Sequence, residues 1–489
     1  MTRSKPGAAD RSITGADFLQ LSIADAPPGR RAAWLAGHLR TAIADGRLPL
    51  GSRLPASRVL AAELHVSRGL VTEAYQRLVE DGHVEGRGRA GTVVVAAPGG
   101  AASNGPAVAT RSPFGGVPDG DVFDTLRAAP ARIDLSPGVP DLAAFPRAAW
   151  LRAERAVLGS LSAAELGYGD PRGALALRRA VVHWLARNRG IRAAADEVVV
   201  TAGVSQALAL LTRVLGVAAI AVEDPGSLGT RQHLRNWGVE TPAVPVDSRG
   251  LVVAGIGAPA VLVTPAHQFP TGVVLSGERR RELLEWAAAG GIVVEDDYDA
   301  EHRYDRAPVP ALRSMLGAVC YAGSVSKLLA PALRLGWLLV PPRYLPGVIA
   351  AKRDADLGNG VLAQFVLARL MESGELEQQL RFLRSRHRRR RDAMIAAVRA
   401  SMPGAAVHGA AAGLHLMVTF EESFSDIEVA REALARGVKV QPLSWHRQRD
   451  GQPGLVLGYA ARSATEIAEG VAIVGSVVRE LSRRGPAGR

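Results

Sequence analysis

Cysteine is almost missing from this chain: 489 residues hold one, Cys320. That excludes an intramolecular disulfide and any metal cluster built on several thiolates. No apolar run is long enough to cross a bilayer, because glycine, proline or charge interrupts the longest ones. Met1–Asp10 lacks the apolar core of a secretory signal, so a cytoplasmic location is expected. The histidines show no metal-ligand spacing, a lone His302 reads as structural, and no short-period repeat is present.

What is present is ample apolar material, 47% of residues, enough for large cores. The length points to more than one domain. The net charge of +12 suits an anionic partner such as DNA, although an arginine-biased composition gives the same excess without one.

Texture changes along the chain. Residues 1–20 and 483–489 are expected to lack fixed structure. Residues 21–95 show helical apolar spacing and form a first domain. Residues 96–132, rich in Ala, Gly, Pro and Ser, read as a flexible linker. Residues 133–482 alternate short Val/Ile strands (Glu197–Thr201, Ala219–Val222, Ala260–Thr264, Ile292–Glu295) with amphipathic helices. That is the pattern of an α/β domain, with a buried, mostly parallel sheet and helices on both faces.

In the first domain, Leu35, Leu39 and Ile43 share one helical face, which Gly46 and Pro49 end. Ser57 is placed to cap a second helix with Leu60 and Leu64 inward. After a tight break Ser67 caps a third, Arg68 to about Glu80, with Val71, Ala74, Leu78 and Val79 inward. Two helices joined by a short turn are a helix-turn-helix signal, and the outward Arg68, Gly69, Thr72, Gln76 and Arg77 suit the major groove. Val84–Val95 then reads as a β-hairpin with Arg87 and Arg89 among glycines at its tip, a wing able to approach phosphates.

Three segments of the second domain carry chemistry. Gly323-Ser-Val-Ser-Lys-Leu-Leu-Ala-Pro-Ala-Leu-Arg334 places Lys327 between small hydroxyl residues and brings Arg334 back towards it if the chain turns after Pro331. A lysine amine can hold an aldehyde cofactor as an imine, and an arginine fork with hydroxyls and backbone N–H groups suits its phosphate. Val294-Glu-Asp-Asp-Tyr-Asp-Ala-Glu301 follows a strand, where Asp296 can pair with a pyridinium nitrogen and Tyr298 with a phenolic oxygen. Thr201-Ala-Gly-Val-Ser-Gln-Ala207 opens a helix, where the N–H groups of Val204, Ser205 and Gln206 suit a phosphate.

The N-terminal stretch resembles the GntR-type winged helix through Gly51-Ser-Arg-Leu-Pro-Ala-Ser-Arg58, Val66-Ser-Arg-Gly69, Ala74-Tyr-Gln-Arg-Leu78 and Arg89-Ala-Gly-Thr-Val93. The resemblance implies operator contacts at Arg53, Ser57, Arg58, Ser67, Arg68, Thr72 and Arg77, with Arg89, Gly91 and Thr92 from the wing. The remainder resembles fold-type I aminotransferases, which bind pyridoxal 5'-phosphate, with a smaller C-terminal α/β subdomain. It looks most like the aminotransferase-like half of MocR-type regulators, a GntR subfamily. Tyr168-Gly-Asp-Pro-Arg-Gly173, Glu223-Asp-Pro-Gly226, Thr264-Pro-Ala-His-Gln-Phe-Pro-Thr-Gly272 and Ser324-Val-Ser-Lys327 carry this likeness.

That resemblance implies a homodimeric regulator of double-stranded operator DNA. It would sense pyridoxal phosphate, or an amine or amino acid, and control genes of vitamin B6 or amine metabolism. Lys327 would hold the cofactor as an imine and Asp296 would face its ring nitrogen. Tyr298 would meet its phenolic oxygen, and Ser324, Ser326, Arg334 and Val204 to Gln206 its phosphate. Tyr168 would reach the partner subunit's phosphate, and His267 with Gln268 would flank the ring. Two departures from the family pattern stand out. Ser227 occupies the place of a stacking aromatic, and Val456 that of the substrate-carboxylate arginine, with Arg462 nearby as a substitute. The loss of that arginine tilts the reading away from efficient transamination, leaving partial reactions at most. The alternative is a working aminotransferase carrying a DNA-binding module. The dense Arg381–Arg391 stretch reads as the solvated face of a long helix with Leu383 inward, in preference to a second DNA-facing patch.

Overall fold

Leu35, Leu39 and Ile43 recur at helical spacing, and the computed structural model puts all three on the buried face of helix α1 (Arg31–Ala44). The structure describes residues 26–27, 30–88, 91–96, 112–115, 118, 120–304, 309–422 and 424–484. The chain divides into two units, Met1–Thr110 and Arg111–Arg489.

In the first unit α1 is followed by α2 (Ser57–Glu63), α3 (Arg68–Glu80) and the antiparallel strands β1 (Val84–Gly86) and β2 (Thr92–Val94). Leu39, Leu60, Val71, Leu78, Val84 and Val94 join in one core. The buried Tyr75 hydroxyl donates to the Pro55 carbonyl at 2.7 Å, tying α3 to the loop before α2. The Ser67 hydroxyl caps α3 by accepting from Leu70 N. Two sequence expectations change. Ser57 is the first residue of α2, the cap position falls on Ala56, and no side chain caps the helix. Val79 is 42% exposed: the buried stripe of α3 runs through Val71, Ala74, Tyr75 and Leu78, and Val79 falls one step outside it.

The second unit opens with α4 (Val122–Ala128), β3 (Ile133–Asp134), α5 (Arg147–Ser160) and α6 (Leu175–Arg189). A mainly parallel sheet follows, built from β4 (Val198–Thr201), β5 (Ile220–Asp224), β6 (Ala243–Asp247), β7 (Gly250–Leu251), β8 (Ala260–Val263), β9 (Ile292–Asp297), β10 (Cys320–Ser324) and β11 (Gly336–Leu339). Among the described residues its order is β4-β11-β10-β9-β8-β5-β6-β7. Neighbours from β10 through β6 run parallel, while β11 is antiparallel to both β10 and β4. Between the strands lie α7 (Val204–Leu215), α8 (Leu228–Asn236), α9 (Gly277–Ala288) and α10 (Leu312–Met315). Strands β4, β5, β8 and β10 are buried throughout, as a sheet covered on both faces requires, and Cys320 is one of their fully buried residues.

Helices α11 (Leu345–Asp356), α12 (Val361–Glu372) and α13 (Glu375–Ser401) lead to a smaller C-terminal layer. It contains β12 (Ala406–His408), β13 (His415–Thr419), α14 (Asp426–Ala435), β14 (Val438–Lys439), β15 (Gln441–Pro442), β16 (Gly454–Gly458) and α15 (Ala464–Arg484). Strands β12, β13, β16 and β15 form an antiparallel sheet, and β14 pairs in parallel with β3, so the start of the unit folds into its end. None of the described helices is long and apolar enough to cross a membrane.

Two further expectations are corrected. The expected linker does not extend to residue 132, because Phe114, Val122 and Leu126 are buried in the core of the second unit and Phe114 stacks on Trp445. Their apolar side chains are sparse within a Gly- and Pro-rich stretch and show no period. The basic run on α13 is not simply a solvated face. Arg386, His387, Arg390 and Arg391 are buried, and Asp141 accepts from Arg386 at 2.9 Å and from Arg390 at 2.7 Å. Arg381, Arg388 and Arg389 do face solvent.

Candidate functional site

Strand ends build the cavity of the second unit. In a parallel sheet ligands collect beyond the carboxyl ends of the strands, and here Glu223 and Asp296, each one residue before the end of β5 and β9, and Ser324, the last residue of β10, all line one cavity of about 900 Å³. After β10 the chain turns through a short 3-10 segment and returns as β11, which sets Lys327 and Arg334 on the same cavity wall. Arg334 adopts a left-handed conformation and donates to the Ala202 carbonyl. Gly203, with φ +84°, leaves room for it, since a Cβ there would sit 3.3 Å from Arg334 Nη1. Beside this arginine α7 begins at Val204. The first-turn N–H groups have no acceptor inside their helix, so Val204 and Ser205 offer donors to an anion in the cavity.

Lys327 donates from Nζ to the Gly138 carbonyl. Burial pulls its amine below the ordinary lysine range, while Asp299 and Asp296 pull the other way. Asp296 faces the same space, and its Oδ1 is buried without a hydrogen-bond partner. Burial, then Asp297 and Asp299, push this carboxyl up to about 7. It is an acceptor that lacks a cationic donor. Glu223, also pushed up to about 7 by burial, accepts from Thr264 Oγ1 at 2.6 Å and from Gln268 Nε2 at 3.3 Å.

Tyr298 lines the cavity, and its hydroxyl lies 3.0 Å from His267 Nδ1, which is also 2.9 Å from Asp299 Oδ2. A carboxylate only accepts, so Nδ1 carries the hydrogen there, and the Tyr298 hydroxyl, which also hydrogen-bonds Asp299, is held at the cavity wall. His267 is 1% exposed and sits behind Tyr298 rather than on the cavity wall. Gln268 is likewise behind the wall, and its amide donates to the carbonyl of Pro225 at 2.8 Å. The side chain of Gln206 turns away from the cavity to accept from Ala202 N at 2.7 Å, leaving only its backbone N–H at the helix start. Tyr168 is 95% exposed and touches none of this cavity's wall. Ser324 and Ser326 are both on the wall.

The two departures find physical settings. Ser227 lines the cavity and caps α8 by accepting from Thr230 N at 3.2 Å; aromatic rings are supplied to the same cavity by Phe123 and Phe269 instead. Val456 is fully buried in β16. Arg462 does not take its place: it donates to the Asp134 carbonyl at 3.2 Å and pairs with Glu466, off the cavity wall. Gly138, Phe123 and Lys439 join the wall without any local sequence signal, and so does Glu223 of the Glu-Asp-Pro-Gly turn.

In the first unit the residues expected to contact DNA cluster. Arg53, Arg58, Ser67, Arg68 and Thr72 are exposed, and Ser57, Arg77, Gly91 and Thr92 half-buried. Arg68 Nε reaches Ser57 Oγ at 3.4 Å, joining α2 to α3. Arg53 bridges Val93 and packs against Gly91, where a Cβ would meet its Cδ at 3.2 Å, so Arg53 and the wing form one surface. Arg77 is engaged with Glu73 at 2.7 Å. Arg89 lies outside the described residues.

Comparison with known proteins gives two family matches: "Bacterial regulatory proteins, gntR family" over residues 32–94, and "Aminotransferase class I and II" over residues 131–471. The chain is 30% identical to "Probable rhizopine catabolism regulatory protein MocR" of Rhizobium meliloti, over 94% of this chain and 96% of that protein. It is 31% identical to "HTH-type pyridoxine biosynthesis transcriptional regulator PdxR" of Corynebacterium glutamicum, over 87% of this chain and 91% of that protein. Among solved structures, the α-aminoadipate aminotransferase LysN of Thermus thermophilus, complexed with N-(5'-phosphopyridoxyl)-L-leucine, matches with a TM-score of 0.68 at 26% identity. The match covers 74% of this chain and 95% of that one.

Proposed function

Because the chain belongs to the MocR-type subfamily of GntR transcriptional regulators, we propose that it binds pyridoxal 5'-phosphate at Lys327 and reads the state of that site out on operator DNA. The observation that carries this reading is that Lys327 and the orphaned Asp296 Oδ1 line one cavity together with a helix start and Arg334. These residues fit the cofactor's three polar ends. Asp296 would hold a protonated ring nitrogen, and that cation would keep the carboxyl ionised. The Tyr298 hydroxyl on the cavity wall would meet the phenolic oxygen. Arg334, Ser324, Ser326 and the N–H groups of Val204, Ser205 and Gln206 would take the phosphate dianion. When bound, the cofactor supplies an aldehyde that condenses with an amine and a ring that withdraws electrons. The depressed basicity of Lys327 favours the unprotonated amine that such condensation needs.

The absence of an arginine at Val456, with Arg462 turned away, argues against efficient transamination and for a sensor. Homodimerisation is part of the same reading. Leu142, Leu151, Leu158, Leu166 and Tyr168 are exposed within one stretch of the second unit. Apolar side chains grouped in this way suit burial against a second copy, where Tyr168 could reach the partner's phosphate. On DNA, α3 with Arg68 and Thr72 would enter the major groove, and Arg53, Arg58, Arg89, Gly91 and Thr92 would meet the backbone.

The test is direct. Purified protein soaked in pyridoxal phosphate is expected to absorb visible light and to retain a reduced adduct on Lys327 after borohydride treatment. Its affinity for DNA from upstream of its own gene should change when cofactor or amines are added. A ligand shifts a regulator only if it binds one state better, so unchanged affinity with the cofactor bound would remove the sensing role. Absence of any adduct would remove the cofactor reading itself.

A further inference from the structure

Lys352, on helix α11, is fully buried, lies off the wall of the cavity described above, and is surrounded by oxygen atoms. Its Nζ donates to Gln206 Oε1 at 3.0 Å, to Asp356 Oδ1 and Oδ2 at 2.7 and 2.6 Å, and to Asn359 Oδ1 at 2.6 Å. All four atoms are acceptors, so the amine keeps its full set of protons, and an ammonium engaged in this way has no lone pair with which to capture an aldehyde. Lys352 is therefore not a second Lys327. Stability alone does not explain it either, because apolar side chains of similar volume often replace a buried ion pair without loss.

The reason lies in what its partners hold. Gln206 Oε1 also accepts from Ala202 N at 2.7 Å, and Gln206 Nε2 donates to Asp356 Oδ2 at 2.7 Å. The oxygen meets only donors and the nitrogen an acceptor, so the amide has one orientation. The Ala202 carbonyl in turn accepts from Arg334. A continuous run of hydrogen bonds thus leads from the Lys352 ammonium through Gln206 and Ala202 to Arg334, and it frames the turn at which α7 begins. On the far side, Gly358 N donates to Asp356 Oδ1 at 3.0 Å. The buried Gln364 of α12 donates to the Asn359 carbonyl at 2.9 Å and accepts from Ala174 N at 2.7 Å. The ammonium is thereby anchored to α12 and to the start of α6. Without Lys352, the Asp356 carboxylate would stand behind the turn with its charge uncompensated, and like charge opposes a phosphate dianion.

We propose that Lys352 is a positioning residue for the phosphate end of the cofactor site. It touches no ligand. It fixes the Gln206 amide, and through Ala202 the turn and Arg334, in the arrangement that receives a dianion, and it cancels the Asp356 charge behind them. This proposal rests on the cofactor reading above, and it adds a residue outside the cavity on which phosphate recognition depends.

The experiment titrates full-length, cofactor-free protein with pyridoxal 5'-phosphate and with 5'-deoxypyridoxal, the same aldehyde without the phosphate, and reads both dissociation constants from imine absorbance. Wild type should prefer the phosphorylated aldehyde. Lys352→Met should cut that preference about tenfold or more, the scale of a lost charge-assisted hydrogen bond, with 5'-deoxypyridoxal bound as in wild type. A general role in stability would weaken both aldehydes alike. Gln206→Leu breaks the same run of hydrogen bonds, keeps the backbone N–H, and leaves Lys352 its other acceptors. It should cut the preference in the same direction, and it decides the matter if Lys352→Met yields no folded protein. Equal affinity of wild type for the two aldehydes, a preference that survives in folded Lys352→Met or in Gln206→Leu, or losses of the same factor for both aldehydes would each overturn the proposal. If wild type forms an imine with neither aldehyde, the function proposed above falls and this proposal with it; if it binds both and the variants keep its preference, only this proposal falls.

Discussion

The DNA-facing unit draws its exposed polar residues from one short stretch, Arg53 to Thr92, and holds them on a single small core. The cavity of the second unit instead gathers its wall from Phe123, Gly138, Val204, Glu223, Asp296, Lys327, Lys439 and residues between them, contributed by both the large sheet and the C-terminal layer. In the first case function follows from a contiguous pattern and local packing. In the second it depends on long-range placement, so residues far from any ligand decide whether the site exists. The two units should therefore fail differently.

The largest separation is expected from Lys327→Ala, which should abolish the borohydride-trapped adduct completely while leaving cofactor-free DNA affinity as in wild type. Mass spectrometry and a gel-shift titration check both halves, and a parallel loss of basal DNA binding would break the contrast. Next comes Asp141→Ala. Asp141 has no place in the winged helix and neutralises the buried Arg386 and Arg390. Stranding buried charges costs about 3–5 kcal/mol, so the unfolding midpoint of the second unit in urea should drop sharply. A change within error would show that the arginines are solvated after all. Arg68→Ala should weaken operator binding by about 1–3 kcal/mol, roughly five- to a hundredfold, with the bound cofactor's absorbance unaltered. The smallest effect belongs to Ser67→Ala. Removing the cap on α3 should lower stability by about 1 kcal/mol, visible as a shift in the melting of the first unit with no change in cofactor uptake.

Sequence patterns revealed much of this because both folds advertise themselves locally. The helix-turn-helix, its Ser67 cap and the hairpin follow from apolar period and turn chemistry. The four Val/Ile runs correspond to β4, β5, β8 and β9, and the strand-end motifs lead to Lys327, Asp296 and Arg334 on one wall. What stayed hidden depends on partners distant in the chain. Arg386 and Arg390 looked like solvent-facing residues because their counter-charge, Asp141, lies far upstream. Lys439 sits in a two-residue strand whose pairing with Ile133–Asp134 no local period announces. The apolar residues that bind 112–128 to the core were too few to stand out from glycine and proline. Helical spacing also failed by one position at Val79, where the buried face is narrower than the apolar run.

The solitary thiol has a practical consequence. Cys320 is fully buried in the central sheet and burial pushes it up to about 12, so at neutral pH it is neither accessible nor ionised. Maleimide chemistry on the native protein should meet almost no background. A single cysteine introduced at an exposed position of either unit would then carry one fluorophore or spin probe, and a matched pair, one in each unit, would report the distance between the units in real time.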